Sequence, residues 1–153
     1  MSYLEDACKF TIIHEGFRPN PYDDATGKRI KAQGFVTVGY GHNLDAKPLT
    51  EHFCKLLLQA DLMEFYAMLQ TCDWWRFVKN DAREIALLDM CFNLGFSGLC
   101  AFKKMIAAIR AGDWEKAADE ALNSKWATQV GRRARNVARV LRAGRIVWPE
   151  LEK

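Results

Sequence analysis

The segment from Ile12 to Leu44, IIHEGFRPNPYDDATGKRIKAQGFVTVGYGHNL, carries acids and a hydroxyl whose types and spacing can do chemistry together. Glu15 closes an apolar, helix-patterned run, where the unpaired carbonyls of a helix C-terminus make the local field negative and disfavour a carboxylate. A carboxyl in that field is expected to hold its proton more readily than a surface Glu, and so to be able to protonate a departing oxygen. Asp24 follows a Pro19-Asn20-Pro21 turn, and Thr37 lies on the β-prone run Phe35 to Tyr40 with a hydroxyl able to hold a water. Cleaving an acetal needs a proton for the leaving oxygen. It also needs a carboxylate that stabilises positive charge at carbon or activates water, and the two roles fit Glu15 and Asp24. Asp23 is the rival for the second role. Gly39 and Gly41 either let a sugar chain approach the backbone closely or simply bend a small twisted sheet. His42 can hydrogen-bond Glu15 or, in the reading preferred here, support the site by pinning the strand to the helical part of the chain.

These residues need elements to hold them. Ser2-Tyr3-Leu4-Glu5 has capping-box spacing, and Leu4, Ala7, Cys8, Thr11 and Ile12 share a stripe, which predicts a helix over about 3–14 stopped by Gly16. From Pro19 to Leu44 the punctuation predicts two or three short antiparallel strands, among them 28–32 and 35–40. Thr50 is placed to cap a long helix running to about Gln70, with Phe53, Leu56, Leu57, Ala60, Met63 and Ala67 on its apolar side. Further helices are expected over about 81–94, 101–111, 114–124 and 132–142, separated by Gly95, Gly98, Gly112 and Gly131. The expected class is α+β. The chain reads as a single domain over 1–153, with lobes at about 13–50 and 70–153 plus the N-terminal helix, joined by a helix at about 50–70. A cleft between lobes is the natural place for a ligand.

The whole chain limits what that ligand is. Its 153 residues, 50% hydrophobic and 27% charged, suffice for one substantial core. No Lys- or Arg-led apolar leader and no run of about 18 uncharged apolar residues is present, so neither a Sec signal nor a membrane span is expected. Five cysteines without a Cys-x-x-Cys pair read as buried free thiols of a reducing compartment. His14, His42 and His52 lack ligand spacing, no glycine-rich phosphate loop occurs, and Ser97 sits in GFSG rather than a nucleophile elbow. No metal or cofactor is expected.

Net charge is +3, yet Gln129 to Arg145 carries six arginines and no acid. At about 100° per residue, Arg132, Arg135, Arg139 and Arg142 share one face, Ala134, Val137, Ala138 and Leu141 point to the core, and Arg133 projects elsewhere. Such a face suits a polyanion such as nucleic acid, cell wall or lipid headgroups, or is simply solvated.

Three ordered motifs then carry a resemblance. HEGFRPNPYDDATGK with FVTVGYGHNL resembles the catalytic segment of the T4-type phage lysozymes: Glu-Gly, an Asp nine residues after the Glu, and a Thr-x-Gly-x-Gly-His strand. LLDMCFNLGFSGLCAFKKMIAAIRAGDWEKAADEAL resembles that family's helical core, and SKWATQVGRRARNVARVLRAG its closing elements. The resemblance covers nearly the whole chain and implies a lysozyme-like fold. It implies an inverting muramidase that cleaves the β-1,4 bond between N-acetylmuramic acid and N-acetylglucosamine in peptidoglycan. Glu15 is then the general acid, Asp24 the second carboxylate, Thr37 the water-positioning hydroxyl and Arg133 the partner of the catalytic Glu. Asn43, Phe92 and Glu120 match positions lining the sugar cleft, whereas Met105 stands where a small polar residue is expected. Between Asp24 and Thr37 the chain is longer and more basic than the family pattern, with Lys28, Arg29 and Lys31, cations that could meet peptide carboxylates of the wall. The implied role is a monomeric phage endolysin, held in the host cytoplasm until a holin opens the inner membrane, with no nucleic-acid partner. The face of Arg132, Arg135, Arg139 and Arg142 is expected to bind anionic outer-membrane lipid. The alternative is a catalytically weak wall- or membrane-disrupting protein acting through that helix.

Overall fold

The computed structural model describes residues 3–23, 25–30 and 33–148. These divide into two compact units, residues 16–58 and the remainder, with the boundary inside one helix. The architecture is α+β, of the lysozyme-like kind the resemblance implies: among the described residues, eight α-helices and a two-stranded antiparallel sheet.

The larger unit is helical. It contains α1 (Tyr3–Glu15), the later part of α2 (Glu51–Gln70), a 3-10 turn (Trp75–Phe77), α3 (Asp81–Leu94), α4 (Phe96–Cys100), α5 (Lys103–Ala111), α6 (Trp114–Leu122), α7 (Lys125–Val130) and α8 (Arg132–Ala143). Helix α3 is the centre. Ile85 through Cys91 are all buried, as a helix that is apolar on every side demands, and α1, α4 and α8 pack around it. Fully buried Phe10 from α1 and Val137 and Leu141 from α8 complete this core. Ala117, Ala118 and Ala121 keep α6 thin where it meets α5 and α8. Among the described residues, side-chain caps begin four helices: Thr50 accepts the Phe53 amide, though at a long 3.4 Å, Asn80 that of Arg83, Asp113 that of Lys116 and Ser124 that of Ala127, the well-formed ones each worth about 1 kcal/mol.

The start of α3 also closes the end of α8. Arg83 Nε donates to the Leu141 carbonyl at 2.8 Å, Asn80 Nδ2 donates to the Gly144 carbonyl at 2.9 Å, and the Arg83 guanidinium lies 4.2 Å from the centre of the Trp114 ring. These bonds satisfy carbonyls that a helix C-terminus leaves open. Gly144 leaves the last turn with φ 61°, a left-handed conformation that favours glycine, and a Cβ there would press on the Arg83 guanidinium at 3.2 Å.

Helix α3 begins and ends where the spacing predicts, and α1, α5, α6 and α8 agree to within two residues. Two short helices, α4 and α7, occupy stretches that read as connections. They are too short to show a period, although Ser124 marks the start of α7. Helix α2 runs as expected, but the apolar side assigned to it is wrong. Phe53, Leu56, Leu57 and Met63 are exposed together with Ala60 and Ala67, while Leu62 and Leu69 are buried and Phe65 and Tyr66 half-buried. Apolar residues ring this helix nearly all round, so its period does not single out one face.

The smaller unit holds β1 (Thr37–Val38) and β2 (His42–Asn43), with Thr37 opposite Asn43 and Val38 opposite His42. The strand expected over 35–40 is therefore one arm of a hairpin. Gly39 and Gly41, at φ 58° and 86°, turn the chain back where a straight strand was read. Of the run expected over 28–32, residues 31 and 32 lie outside the described residues, and among the described ones Arg29 forms an isolated bridge with Tyr22. Asp45 ties these pieces by accepting from Arg29 Nη2 at 2.9 Å and from the Val36 amide at 2.7 Å. Ser2 of the expected capping box lies outside the described residues.

One acid in the helical unit resists ionisation. Burial, and secondarily the neighbouring charge of Asp81, hold the Glu84 carboxyl above its ordinary range, partly offset by the Tyr66 hydroxyl at 3.4 Å. A carboxyl raised in the folded state contributes stability that is complete below the unfolded value, near pH 4.3, and is lost as pH rises through the folded value. Glu84→Gln should therefore gain melting temperature relative to wild type as pH increases from about 4 towards 7. Solvent screening of this part-exposed group limits the gain to about 2–4 °C. Thermal melts of both proteins across that range check the sign.

Candidate active site

Glu15 is the last residue of α1, and Gly16 then turns the chain out of the helix with φ 74°. The Glu15 side chain is 39% exposed, and Arg133 Nη1 donates to its Oε1 at 2.6 Å. Arg133 is the second residue of α8, and its side chain is 7% exposed. The other edge of the guanidinium grips Asp89 on α3 as a fork, Nε to Oδ2 at 3.0 Å and Nη2 to Oδ1 at 2.8 Å. Planar, delocalised and always charged, Arg alone can serve two carboxylates at fixed angles in this way.

Asp89 is 1% exposed. Burial by itself would raise its carboxyl, but hydrogen bonding to His14 and Arg133, together with their charges, more than cancels this and holds it below the ordinary range. Burial likewise works against the Arg133 cation and is outweighed by Asp89 and then Glu15, which hold it above its ordinary value. His14 completes the group. Its Nδ1 lies 3.4 Å from Asp89 Oδ2, and its Nε2 faces Asn136 Nδ2 at 3.1 Å. With the amide donating to Nε2, the ring proton belongs on Nδ1, which is close to Asp89 without hydrogen-bond alignment.

A pocket of about 360 Å³ opens here, lined by His14, Glu15, Asn93, Val130, Arg132 and Arg133. A larger one of about 510 Å³ lies between the end of α3 and α7, with Leu94, Phe102, Met105 and Trp126 among its apolar lining and Lys103 and Lys125 among its charges. Asn93 of the first and Trp126 of the second are hydrogen-bonded, the indole Nε1 donating to Asn93 Oδ1 at 2.7 Å.

The residues expected at a site fare differently. Glu15 and Arg133 meet. Asp24 lies outside the described residues. Its rival Asp23 accepts the Thr26 amide at 2.9 Å, which holds its carboxyl below the ordinary range and commits that oxygen to a turn. Thr37 is exposed, and its hydroxyl makes one long contact, 3.4 Å to the Phe35 carbonyl. His42 Nε2 bonds the Lys47 carbonyl at 2.8 Å, bracing its own hairpin. Asn43 Oδ1 accepts the amides of Asp45 and Ala46, so it shapes the turn after β2. Phe92 is half-buried against the edge of Phe65, Glu120 lines the larger pocket, and Met105 is fully buried at its floor. The arginine face is less free than its composition suggests, because Arg142 pairs with Glu115 and Asp119.

Asp89 and Asn136 went unrecognised in the sequence. A signal existed for the first: an acid in the apolar run LLDMCF must be paired if that helix is buried, and Arg133 is the arginine that leaves its helix's solvent face.

Residues 13–143 match the phage lysozyme family. The pre-baseplate central spike protein Gp5 of Enterobacteria phage T4 is 38% identical over 72 residues, which is 47% of this chain and 12% of that protein. Probable T4-type lysozyme 2 of Dictyostelium discoideum is 39% identical over 62 residues, 40% of this chain and 36% of its own. Probable T4-type lysozyme 1 of the same organism is 31% identical over 65 residues, 42% and 38% of the two chains. The matched stretches thus span well under two thirds of any of these relatives. The family match, in contrast, runs through both the Glu15 turn and the Arg133 helix, and the chain belongs to the phage lysozyme family.

Proposed function

We propose that the protein is a muramidase that hydrolyses the β-1,4 bond between N-acetylmuramic acid and N-acetylglucosamine in peptidoglycan, and that it serves as a phage endolysin released from the host cytoplasm at lysis. One observation carries the reading: a helix-terminal Glu, open to a pocket, held at 2.6 Å by an arginine that is otherwise buried. Glu15 passes its proton to the glycosidic oxygen as the bond to the anomeric carbon breaks. Asp24 takes a proton from a water held with Thr37, and that water attacks from the opposite face. The carboxylate left on Glu15 is received by the Arg133 hydrogen bond, whose donor needs no rearrangement. The larger pocket, apolar-floored with lysines at its edge, has the character to take sugar rings and attached peptide carboxylates. Disruption of membranes by the basic helix is the weaker reading, since two acids already meet the Arg142 charge.

Glu15→Gln keeps the shape and the Arg133 contact but has no proton to give. Turnover of purified wall should fall about 10²- to 10⁴-fold with melting temperature little changed, and retention of more than about a tenth of wild-type turnover would remove the acid role from Glu15.

Inversion is the second expected outcome. A hydroxyl beside the second carboxylate orients a water and is superfluous if that carboxylate attacks carbon itself. Proton NMR of the first product should show the α-anomer at the new reducing end; a β-anomer appearing first excludes inversion. Thr37→Glu puts a carboxylate where the water stands, and mass spectrometry of that variant should reveal a covalent glycosyl adduct.

A further inference from the structure

We propose that Asp89 is a positioning residue for the glycosidic reaction: it neutralises and aims Arg133, so that Glu15 receives one directed hydrogen bond without the force of an unbalanced cation. This rests on the reading of Glu15 as the general acid. Asp89 is not among the residues lining the pocket and reaches Glu15 through the guanidinium.

A general acid must carry a proton before the reaction, yet a lone guanidinium 2.6 Å away would draw the carboxyl to its charged form. The same guanidinium is useful afterwards, when Glu15 has become a carboxylate at the negative end of α1. A buried fork of the kind Asp89 makes resolves both demands. With one edge, Nε and Nη2, paired to an anion, Arg133 and Asp89 together carry no net charge, and Glu15 faces a dipole rather than a full cation. The fork also fixes the guanidinium plane, so Nη1 points at Oε1 in only one way. His14 braces the far side of Asp89, and Asn136 braces His14. Among the described residues, the charged and titratable groups lining this pocket are His14 and Glu15 from α1 and Arg132 and Arg133 from α8, with Asp89 of α3 behind Arg133.

A residue that merely supports the fold would lower melting temperature and leave the chemistry alone. Asp89→Asn, which keeps shape and removes charge, should instead lower kcat on purified wall about tenfold near neutrality with KM little changed, and move the alkaline limb of the kcat profile about one pH unit towards acid. Asp89→Glu keeps the charge but displaces the carboxylate by one methylene; its limb should stay in place while kcat falls. A folded Asp89→Asn protein with the wild-type profile overturns the proposal. If Asn at this position does not fold, Asp89→Glu decides: wild-type kcat, or a shifted limb, overturns it equally. The reading beneath is separable. An active Glu15→Gln protein removes the general acid itself, whereas an inactive one beside wild-type-like Asp89 variants defeats this proposal alone.

Discussion

A buried charge pair between the start of α8 and the middle of α3 organises the helical unit. Arg133 and Asp89 are each almost fully out of water, and neither could remain so without the other. Breaking such a pair from one side costs about 3–5 kcal/mol, a large part of the roughly 5–15 kcal/mol that keeps a domain folded. The cost is the means of aim. An exposed arginine would wander over its rotamers, whereas one clamped in the interior offers its remaining nitrogen at a single place, the end of α1. Catalytic geometry and core integrity are therefore the same interaction seen from two sides.

How much of this was legible in the sequence depended on range. Helix α3 announced itself over 81–94 ahead of Gly95, whereas the Asn80 side chain that caps it was not singled out. The separate direction of Arg133 followed from counting 100° per residue along α8, and its burial agrees. Glu15 at a helix end followed from Gly16. Each of these rests on neighbours within a few turns. The partner of Arg133 lies 44 residues away, and that distance hid Asp89, although an acid in an apolar run was itself a sign.

Errors arose where local patterns point several ways. Helix α2 carries apolar side chains on most of its circumference, and which of them are covered is decided by tertiary packing, with Tyr66 near Tyr3 and Trp75. In the Thr-Val-Gly-Tyr-Gly-His run, β-prone residues suggested one strand, but two glycines with positive φ outweighed them and made a hairpin. His42 reads as a support for its strand, and Asn43 as a cleft position by the family resemblance. Both are hydrogen-bonded to nearby backbone, and they shape the turn that follows β2.

Helices α3 and α8 exchange arginines in opposite senses. Arg133, entering α8, reaches Asp89 on α3; Arg83, entering α3, reaches the last carbonyls of α8. Two such links, at separate heights on an antiparallel pair, define its register as two rivets define the alignment of two plates. Sliding α8 by one turn, about 5.4 Å, would leave the small apolar side chains between the helices with similar neighbours, so packing alone would tolerate the slip poorly but not forbid it. Both guanidinium links would fail at once. The hydrophobic residues thus bring the helices together, while the arginines select, among nearly equivalent alignments, the one that brings α8 against Glu15.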